Sequence, residues 1–194
     1  MQTLVNYLTH YYKKGTSPFR TLSALAEQEA LAIMEALCDE TAFGMRFKNP
    51  AQYLKERRQT EQWVHQKFIE KGGQPQADYP VYMVLGDSAW IRQAAGLEPA
   101  AEIHIPLDAF EEWDLSFTYP DSMISLWLAS DQPPEYYLPD YHGKVYTRCE
   151  MLALVAIRGL PEVSWKSNLP PGLAPYIEAQ VWNHNLLLDY QKDG

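Results

Sequence analysis

Apolar and polar positions along the chain predict a mixture of amphipathic helices and short strands. The clearest helix spans residues 49–71, and its apolar stripe carries Tyr53, Leu54, Val64 and Phe68. Asn49 followed by Pro50 is typical of a helix start, and Gly72 is expected to end the helix in a left-handed conformation. The apolar run Val81–Leu85 that follows predicts a strand buried on both faces.

The same reasoning places the remaining elements. Further helices are predicted from Ser23, as N-cap, to Leu37, over Ala89–Ala95 and Met123–Ala129, after a Thr147/Glu150 capping box to Arg158, and over Leu173–Leu188. Further strands are predicted at Ile103–Leu107, Leu115–Tyr119 and Lys144–Tyr146, with Pro106 favouring an edge position. Residues 3–12 fit either a strand or a short helix.

Helices and strands mix without a regular strand–helix–strand rhythm, which predicts the α+β class. We expect residues 1–194 to form one domain, with a small mixed or antiparallel sheet packed by four main helices. Residues 166–194 are expected to form a helical extension packed on that domain.

Composition narrows the class of protein. Hydrophobic residues make up 46% of the chain and charged residues 21%, as in ordinary globular proteins. The net charge is −9, and an acidic chain argues against general nucleic-acid binding. The sequence shows neither a signal peptide nor a membrane span, so a cytoplasmic location is expected. Cys38 and Cys149 are interpreted as buried free thiols.

A charged pair stands on the apolar stripe of the 49–71 helix. Arg57 and Glu61 are one turn apart, so their side chains can meet. With Arg58 and Arg46 beside them, they could line a cleft for a nucleotide or another anionic small molecule. The alternative, which we favour from the sequence, is an ion pair that braces the core.

The histidines and the Pro- and Tyr-rich segment give the other candidates. No histidine has a Cys, Asp or Glu at metal-ligand spacing, so neither a metal nor a cofactor is predicted. His142 beside Asp140 is a candidate acid or base, with Glu61 the other catalytic candidate. Packing of His142 on nearby tyrosines is the favoured interpretation.

Residues 135–143, here called the aromatic loop, contain Tyr136, Tyr137 and Tyr141. Aromatic side chains are enriched in protein interfaces, which suggests a contact surface formed with Tyr119 and Trp127. The leading hypothesis is therefore a non-catalytic binding or interaction domain. An enzyme or ligand-binding domain using Arg57, Arg58, Tyr137 and Tyr141 is the alternative, and the oligomeric state is left open.

Two resemblances extend these expectations. Residues 12–23, 47–54, 116–123 and 176–183 resemble those of an uncharacterised family of bacterial proteins with no assigned activity. The strand plan from Val81 to Thr118 is more remotely similar to that of ADP-ribosyltransferase-like domains. The second resemblance implies an NAD site with four matching positions, which are His10, Ser116, Thr118 and Glu150.

Overall fold

A five-stranded antiparallel sheet forms the centre of the protein in the computed structural model, which describes residues 5–40, 44–94, 100–161 and 176–193. Its strands are β1 (Tyr7–Lys13), β2 (Val81–Leu85), β3 (Ala100–Pro106), β4 (Leu115–Thr118) and β5 (Glu178–Val181). The order across the sheet is β3-β1-β2-β5-β4, and each neighbouring pair is antiparallel. The predicted α+β class is confirmed.

Five α-helices accompany the sheet in the described part of the chain. They are α1 (Glu27–Leu37), α2 (Pro50–Glu70), α3 (Ala89–Ala94), α4 (Ser122–Asp131) and α5 (Arg148–Arg158). Short 3-10 helices lie at Leu22–Ala24, Gly44–Lys48, Leu107–Ala109, Glu112–Asp114 and His184–Asp193.

The helices with strong local signals begin where the sequence predicts. Oδ1 of Asn49 accepts a hydrogen bond from the backbone N–H of Gln52, as an N-cap does. The Thr147/Glu150 capping box forms, with both reciprocal hydrogen bonds in place. Beyond α2, Gly72 has a φ of +91°, the left-handed conformation expected of it.

Ser23 does not cap α1 as expected. It lies in the Leu22–Ala24 3-10 helix, and α1 begins at Glu27 with Ala26 as N-cap. The Ser23 hydroxyl instead accepts a hydrogen bond from Nε of Arg57, 3.2 Å away. Its capping capacity is therefore used in tertiary packing.

The predicted C-terminal helix over 173–188 is wrong at residues 178–181, and in the described part of this range only residues 184–188 are helical, within the His184–Asp193 3-10 helix. Residues 178–181 form β5, which is inserted between β2 and β4, so this segment belongs to the sheet and is not a helical extension. The buried residues Ile177, Ala179 and Val181 alternate with Glu178 and Gln180. That period of two identifies a strand, whereas Tyr176, Ile177, Val181 and Trp182 also fit a helical stripe.

Two other predictions about strands are resolved. Residues 144–146 make only an isolated bridge, between Tyr146 and Phe117, and do not form the predicted strand. The segment 3–12, which fitted two structures, contributes β1 to the sheet. The edge position expected from Pro106 is confirmed, because β3 is the outermost strand beside β1.

The two faces of the sheet differ in chemistry. Side chains opposite each other on one face include Met83, Ala179 and Phe117, and these join the largest apolar cluster together with Met151 and Val155 of α5. The other face carries Tyr82, Gln180 and Ser116 in register, followed by Val84, Glu178 and Thr118. This second face is largely polar although most of it is buried.

The two cysteines are free but exposed, which corrects the expectation of buried thiols. Cys38 follows the end of α1, and Cys149 lies in the first turn of α5. Helix ends face solvent more often than helix centres, so neither thiol reaches the core.

Candidate functional site

A two-lobed cleft lies over the polar face of the sheet. One lobe has a volume of about 190 Å³ and the other about 250 Å³. The two lobes have five lining residues in common, namely Arg46, Tyr53, Arg57, Tyr82 and Glu178. Residues 121–124 at the start of α4 complete the smaller lobe. Residues of β1 and β2 complete the larger, together with Arg20, Leu22, Ile91 and Tyr176. We refer to this feature as the cleft.

Arg57 and Glu61 form the ion pair that their spacing predicts. Nε of Arg57 lies 3.0 Å from Oε1 of Glu61, whose side chain is completely buried. The Tyr82 hydroxyl donates to the same oxygen at 2.8 Å, and the Arg57 guanidinium lies 4.6 Å from the centre of the Tyr82 ring. The pair braces α2 against the sheet, and Arg57 also forms part of the cleft wall.

The Arg57 guanidinium is held in place but not fully used. Nε contacts Ser23 and Glu61, and Nη1 donates to the Tyr53 hydroxyl at 3.4 Å. Among the described residues, nothing accepts a hydrogen bond from Nη2. Burial alone would lower the pKa of Arg57, but Tyr53, Tyr82 and Glu61 raise it above its ordinary value. Arg57 is therefore a permanent cation with donors to spare.

Arg46 supplies the second cation of the cleft. Its Nη2 lies 3.6 Å from Oδ2 of Asp121, the residue that caps α4. Burial acts to lower the pKa of Arg46, and the charge of Asp121 acts against this and leaves the pKa raised. Arg46 and Asp121 thus largely neutralise each other at the entrance to α4.

Glu178 is the carboxyl group of the cleft with the most unusual protonation. Burial, followed by the nearby charge of Asp121, raises its pKa to about 7, although contacts from Ser122 and Gln180 act to lower it. Oε1 accepts hydrogen bonds from the backbone N–H of Ser122 and from the Gln180 amide, each at 3.0 Å. The Ser122 hydroxyl also contacts the carboxyl group and acts to lower its pKa. Within hydrogen-bond distance, the described residues donate only to Oε1, and Glu178 lines both lobes. A carboxyl group in this state can accept or donate a proton near neutral pH.

Arg58, proposed from the sequence as a ligand-binding neighbour of Arg57, points elsewhere. Nη2 of Arg58 donates to the carbonyl oxygens of Ser23 and Leu25, each at 3.1 Å. Arg58 therefore ties α2 to the segment before α1, and it does not line either lobe.

The aromatic loop packs largely inward. His142 is buried, and its Nδ1 accepts a hydrogen bond from the backbone N–H of Leu138. Its ring packs against Tyr119 and Tyr137, while Tyr141 packs edge-on against Tyr119. Burial lowers the pKa of His142 to about 4. His142 does not line the cleft.

The predicted contact surface changes accordingly. Tyr119 is fully buried and cannot belong to it, whereas Trp127 remains 40% exposed. Tyr137 and Tyr141 are half-buried, and neither lines the cleft with Arg57.

The four positions implied by the ADP-ribosyltransferase resemblance do not form a site. His10 on β1 and Ser116 and Thr118 on β4 are separated by two intervening strands. Both ring nitrogens of His10 are occupied, by the carbonyl of Tyr82 and by the backbone N–H of Phe19. Glu150 serves the capping box and an ion pair with Lys71. These residues do not fit NAD.

Three exposed side chains, Asp87, Glu102 and His104, bring possible metal-ligand atoms within 4.8 Å of one another. Sequence spacing could not show this, because the three residues lie on a turn and an edge strand. Arg92 already contacts Glu102 at 3.1 Å and Asp87 at 3.8 Å. A cation in the group makes it a surface ion-pair network rather than a metal centre.

Neither a protein-family model, a curated protein nor a solved structure matches this chain. No helix in the described ranges has both the length and the apolar character needed to cross a membrane. The class that fold and site define is an α+β protein with a small, charged cleft on the polar face of its sheet.

Proposed function

We propose that this protein binds a small polar molecule in the cleft and carries out acid–base chemistry on it, with Glu178 giving and taking the proton. The observation that carries the proposal is the state of Glu178. Its carboxyl is buried and held at Oε1, and Oε2 accepts no hydrogen bond from the described residues, in a cleft that Arg57 also lines.

The other groups of the cleft support a site of this kind. Buried polar atoms normally find partners, so unused hydrogen-bonding capacity in a cavity indicates a place for a ligand. The charged residues are set in fixed positions by Ser23, Tyr53 and Tyr82 around Arg57, and by Ser122 and Gln180 around Glu178. Pre-positioned groups of this type are what acid–base catalysis requires.

The size of the cleft favours a compact ligand. Pockets for drug-sized ligands usually measure about 300–1,000 Å³. Each lobe is smaller than that range, at about 190 and 250 Å³. A molecule the size of a dinucleotide does not fit one lobe. Of the anionic ligands that the sequence suggested, the size of the cleft therefore favours the smaller ones.

The interaction surface predicted at residues 135–143 stays a prediction. Its histidine is buried and its tyrosines are half-buried against the protein's own residues. The cleft offers unused polar groups, and for that reason it is the site on which we base the function.

A thermal-shift screen tests the proposal. The panel contains small carboxylates, amino acids, sugar phosphates, nucleotides and NAD, each at millimolar concentration and at pH 6 and pH 8. We expect a compact compound to raise Tm, because a ligand that binds only the folded state stabilises it. Glu178→Gln is expected to change the pH dependence of that shift.

The matched control is Glu70→Gln, which removes an exposed carboxyl at the end of α2, far along the helix from Arg57. It should leave the shift unchanged. The proposed function is contradicted if no compound alters Tm, or if the pH dependence of the shift is the same in Glu178→Gln as in the wild type.

A further inference from the structure

The cleft offers one unused donor set and one unused acceptor. Nη2 of Arg57 makes no hydrogen bond to a described residue, although Nε and Nη1 are both engaged. Oε2 of Glu178 likewise makes none, although Oε1 is engaged twice. Both residues line both lobes, so one small molecule can reach the two groups.

The charges of the cleft exclude ligands of a single sign. A simple anion attracted to Arg57 would also lie near Asp121 and Glu178, and a simple cation attracted to Glu178 would lie near Arg46 and Arg57. Repulsion between like charges is strong where water is excluded, and it is a common basis of specificity. A molecule that carries both charges avoids this penalty at each end.

The rest of the wall is apolar or aromatic. In the smaller lobe the charged groups are accompanied by Met123 and Ile124, together with the rings of Tyr53 and Tyr82. The larger lobe adds Leu22, Val84 and Ile91. These surfaces suit a branched or aromatic hydrocarbon group.

We propose that the ligand is a compact zwitterion of the amino-acid type, with its carboxylate on Arg57, its ammonium on Glu178 and an apolar side chain in the adjoining lobe. This inference rests on the proposed function and adds the chemical class of the ligand. A guanidinium donates charge-assisted hydrogen bonds to a carboxylate, and Nη2 is the nitrogen of Arg57 that is available for them.

Proton exchange gives the inference a distinct signature. The charged or titratable groups around Glu178 come from every neighbouring element, namely Asp121, Arg46, Tyr53, Arg57, Tyr82 and Tyr176. An ammonium group requires Glu178 to be ionised, so binding lowers the pKa of Glu178 and releases a proton below about pH 7. A simple anion has the opposite effect on the pKa of Glu178, so it releases no proton at pH 6 and causes proton uptake at pH 8.

Isothermal titration calorimetry with the whole chain tests this with two matched sets of probes. One set is leucine, isocaproate, which lacks the ammonium, and isoamylamine, which lacks the carboxylate. The other is phenylalanine, hydrocinnamate and phenethylamine. We expect at least one amino acid to bind at least tenfold more tightly than its two analogues. At pH 6, titrations in two buffers of different ionisation enthalpy should show proton release.

Two variants test which residue binds the ammonium group of the ligand and which binds its carboxylate. Glu178→Gln should remove the preference for the amino acid over its carboxylate analogue. Arg57→Gln combined with Glu61→Gln avoids an unpaired buried charge and should remove the preference over the amine analogue. The control removes an exposed ion pair on the same helix, Lys67→Gln with Glu70→Gln, and should leave all affinities unchanged.

The outcomes separate the two proposals. If a carboxylate analogue binds as tightly as its amino acid and releases no proton at pH 6, the ligand is an anion and the inference is overturned while the proposed function stands. The same holds if the amine analogue alone binds, or if only compounds of another class bind. If no probe and no member of the wider screen binds, both proposals fail.

Discussion

The cleft and the aromatic loop are both rich in tyrosine, yet they use their polar groups differently. In the loop, the Tyr146 hydroxyl donates to the carbonyls of Asp140 and Tyr141, and Ser125 accepts from the N–H of Gly143. These bonds close the loop upon the protein itself. In the cleft, Arg57 and Glu178 are each held at one side and left open at the other. The buried Nε2 of His142 also lacks a partner among the described residues, but it does not line the cleft. What singles out the cleft as the candidate site is therefore unused polar capacity inside a cavity, and not aromatic content.

Removal of the Glu61 carboxylate should produce the largest difference between the two regions. Glu61→Ala leaves the Arg57 guanidinium largely buried without its partner and removes the acceptor of the Tyr82 hydroxyl. We expect the free energy of unfolding to fall by about 3–5 kcal/mol, measured by urea denaturation. Glu135→Ala in the exposed part of the aromatic loop is the control and should change it by less than about 0.5 kcal/mol. If the two variants lose the same free energy of unfolding, the contrast between the cleft and the aromatic loop is wrong.

Glu178→Gln should stabilise the protein at alkaline pH. The pKa of Glu178 is raised from 4.5 to about 7, so the folded chain holds a proton that the unfolded chain releases. Wild-type stability is therefore lost as pH rises from 4.5 through 7, and the amide variant avoids this loss. At pH 8 we expect a gain on the order of 3 kcal/mol, and near pH 4.5 little gain. Denaturation curves at both pH values measure the difference; a gain of equal size at both would refute the assignment.

His142 should give the opposite pH dependence in the aromatic loop. Its pKa is lowered from 6.5 to about 4, so the unfolded chain takes up a proton in a range where the folded chain does not. Stability is lost as pH falls from 6.5 towards 4. His142→Asn keeps an acceptor for the N–H of Leu138 and should remove about 2 kcal/mol of this loss by pH 4.5. His10 also has a pKa lowered to about 4, and it is still present in His142→Asn, so part of the loss of stability at acid pH should remain in this variant.

Deletion of a hydroxyl in the aromatic loop, or of the Tyr146 hydroxyl that bonds to the loop, should give the smallest effects. Tyr146→Phe removes two hydrogen bonds to backbone carbonyls and should destabilise by about 1 kcal/mol. The Tyr137 hydroxyl makes no hydrogen bond to a described residue, so Tyr137→Phe should stay within about 0.5 kcal/mol of wild type. Thermal denaturation resolves this pair. A larger loss for Tyr137→Phe would show that its hydroxyl has a role that the loop geometry does not indicate.

Elements with local signals could be predicted from the sequence. Asn49 and Pro50 set the start of α2, the Thr147/Glu150 box set the start of α5, and the apolar run Val81–Leu85 marked β2. Each depends on residues within a few positions of one another, which is the range over which propensity and capping act.

β5 was missed because its polar residues are buried on the polar face of the sheet. Glu178 and Gln180 alternate with Ile177, Ala179 and Val181, but buried glutamate and glutamine are rare in strands and imitate the polar side of a helix. The period of two was nonetheless present and could have identified the strand.

For a related reason, only part of the candidate site could be predicted from the sequence. Arg57 and Glu61 follow from spacing along one helix. Glu178 and Arg57 line the same cleft only because of the fold. The elements that carry them, α2 and β5, are distant in the sequence, and no local pattern relates them. From its sequence context, His142 was a candidate acid or base. The structure buries its side chain, and burial lowers its pKa to about 4, so the ring is uncharged at neutral pH.

The position of β5 also bears on how the protein is made. β2 and β4 are synthesised well before residues 178–181, yet they become neighbours of β5 and not of each other. A growing chain on the ribosome therefore has a gap in its sheet until this late segment emerges. Glu178 lies on the strand that fills this gap, so the cleft lacks Glu178 until that strand joins the sheet.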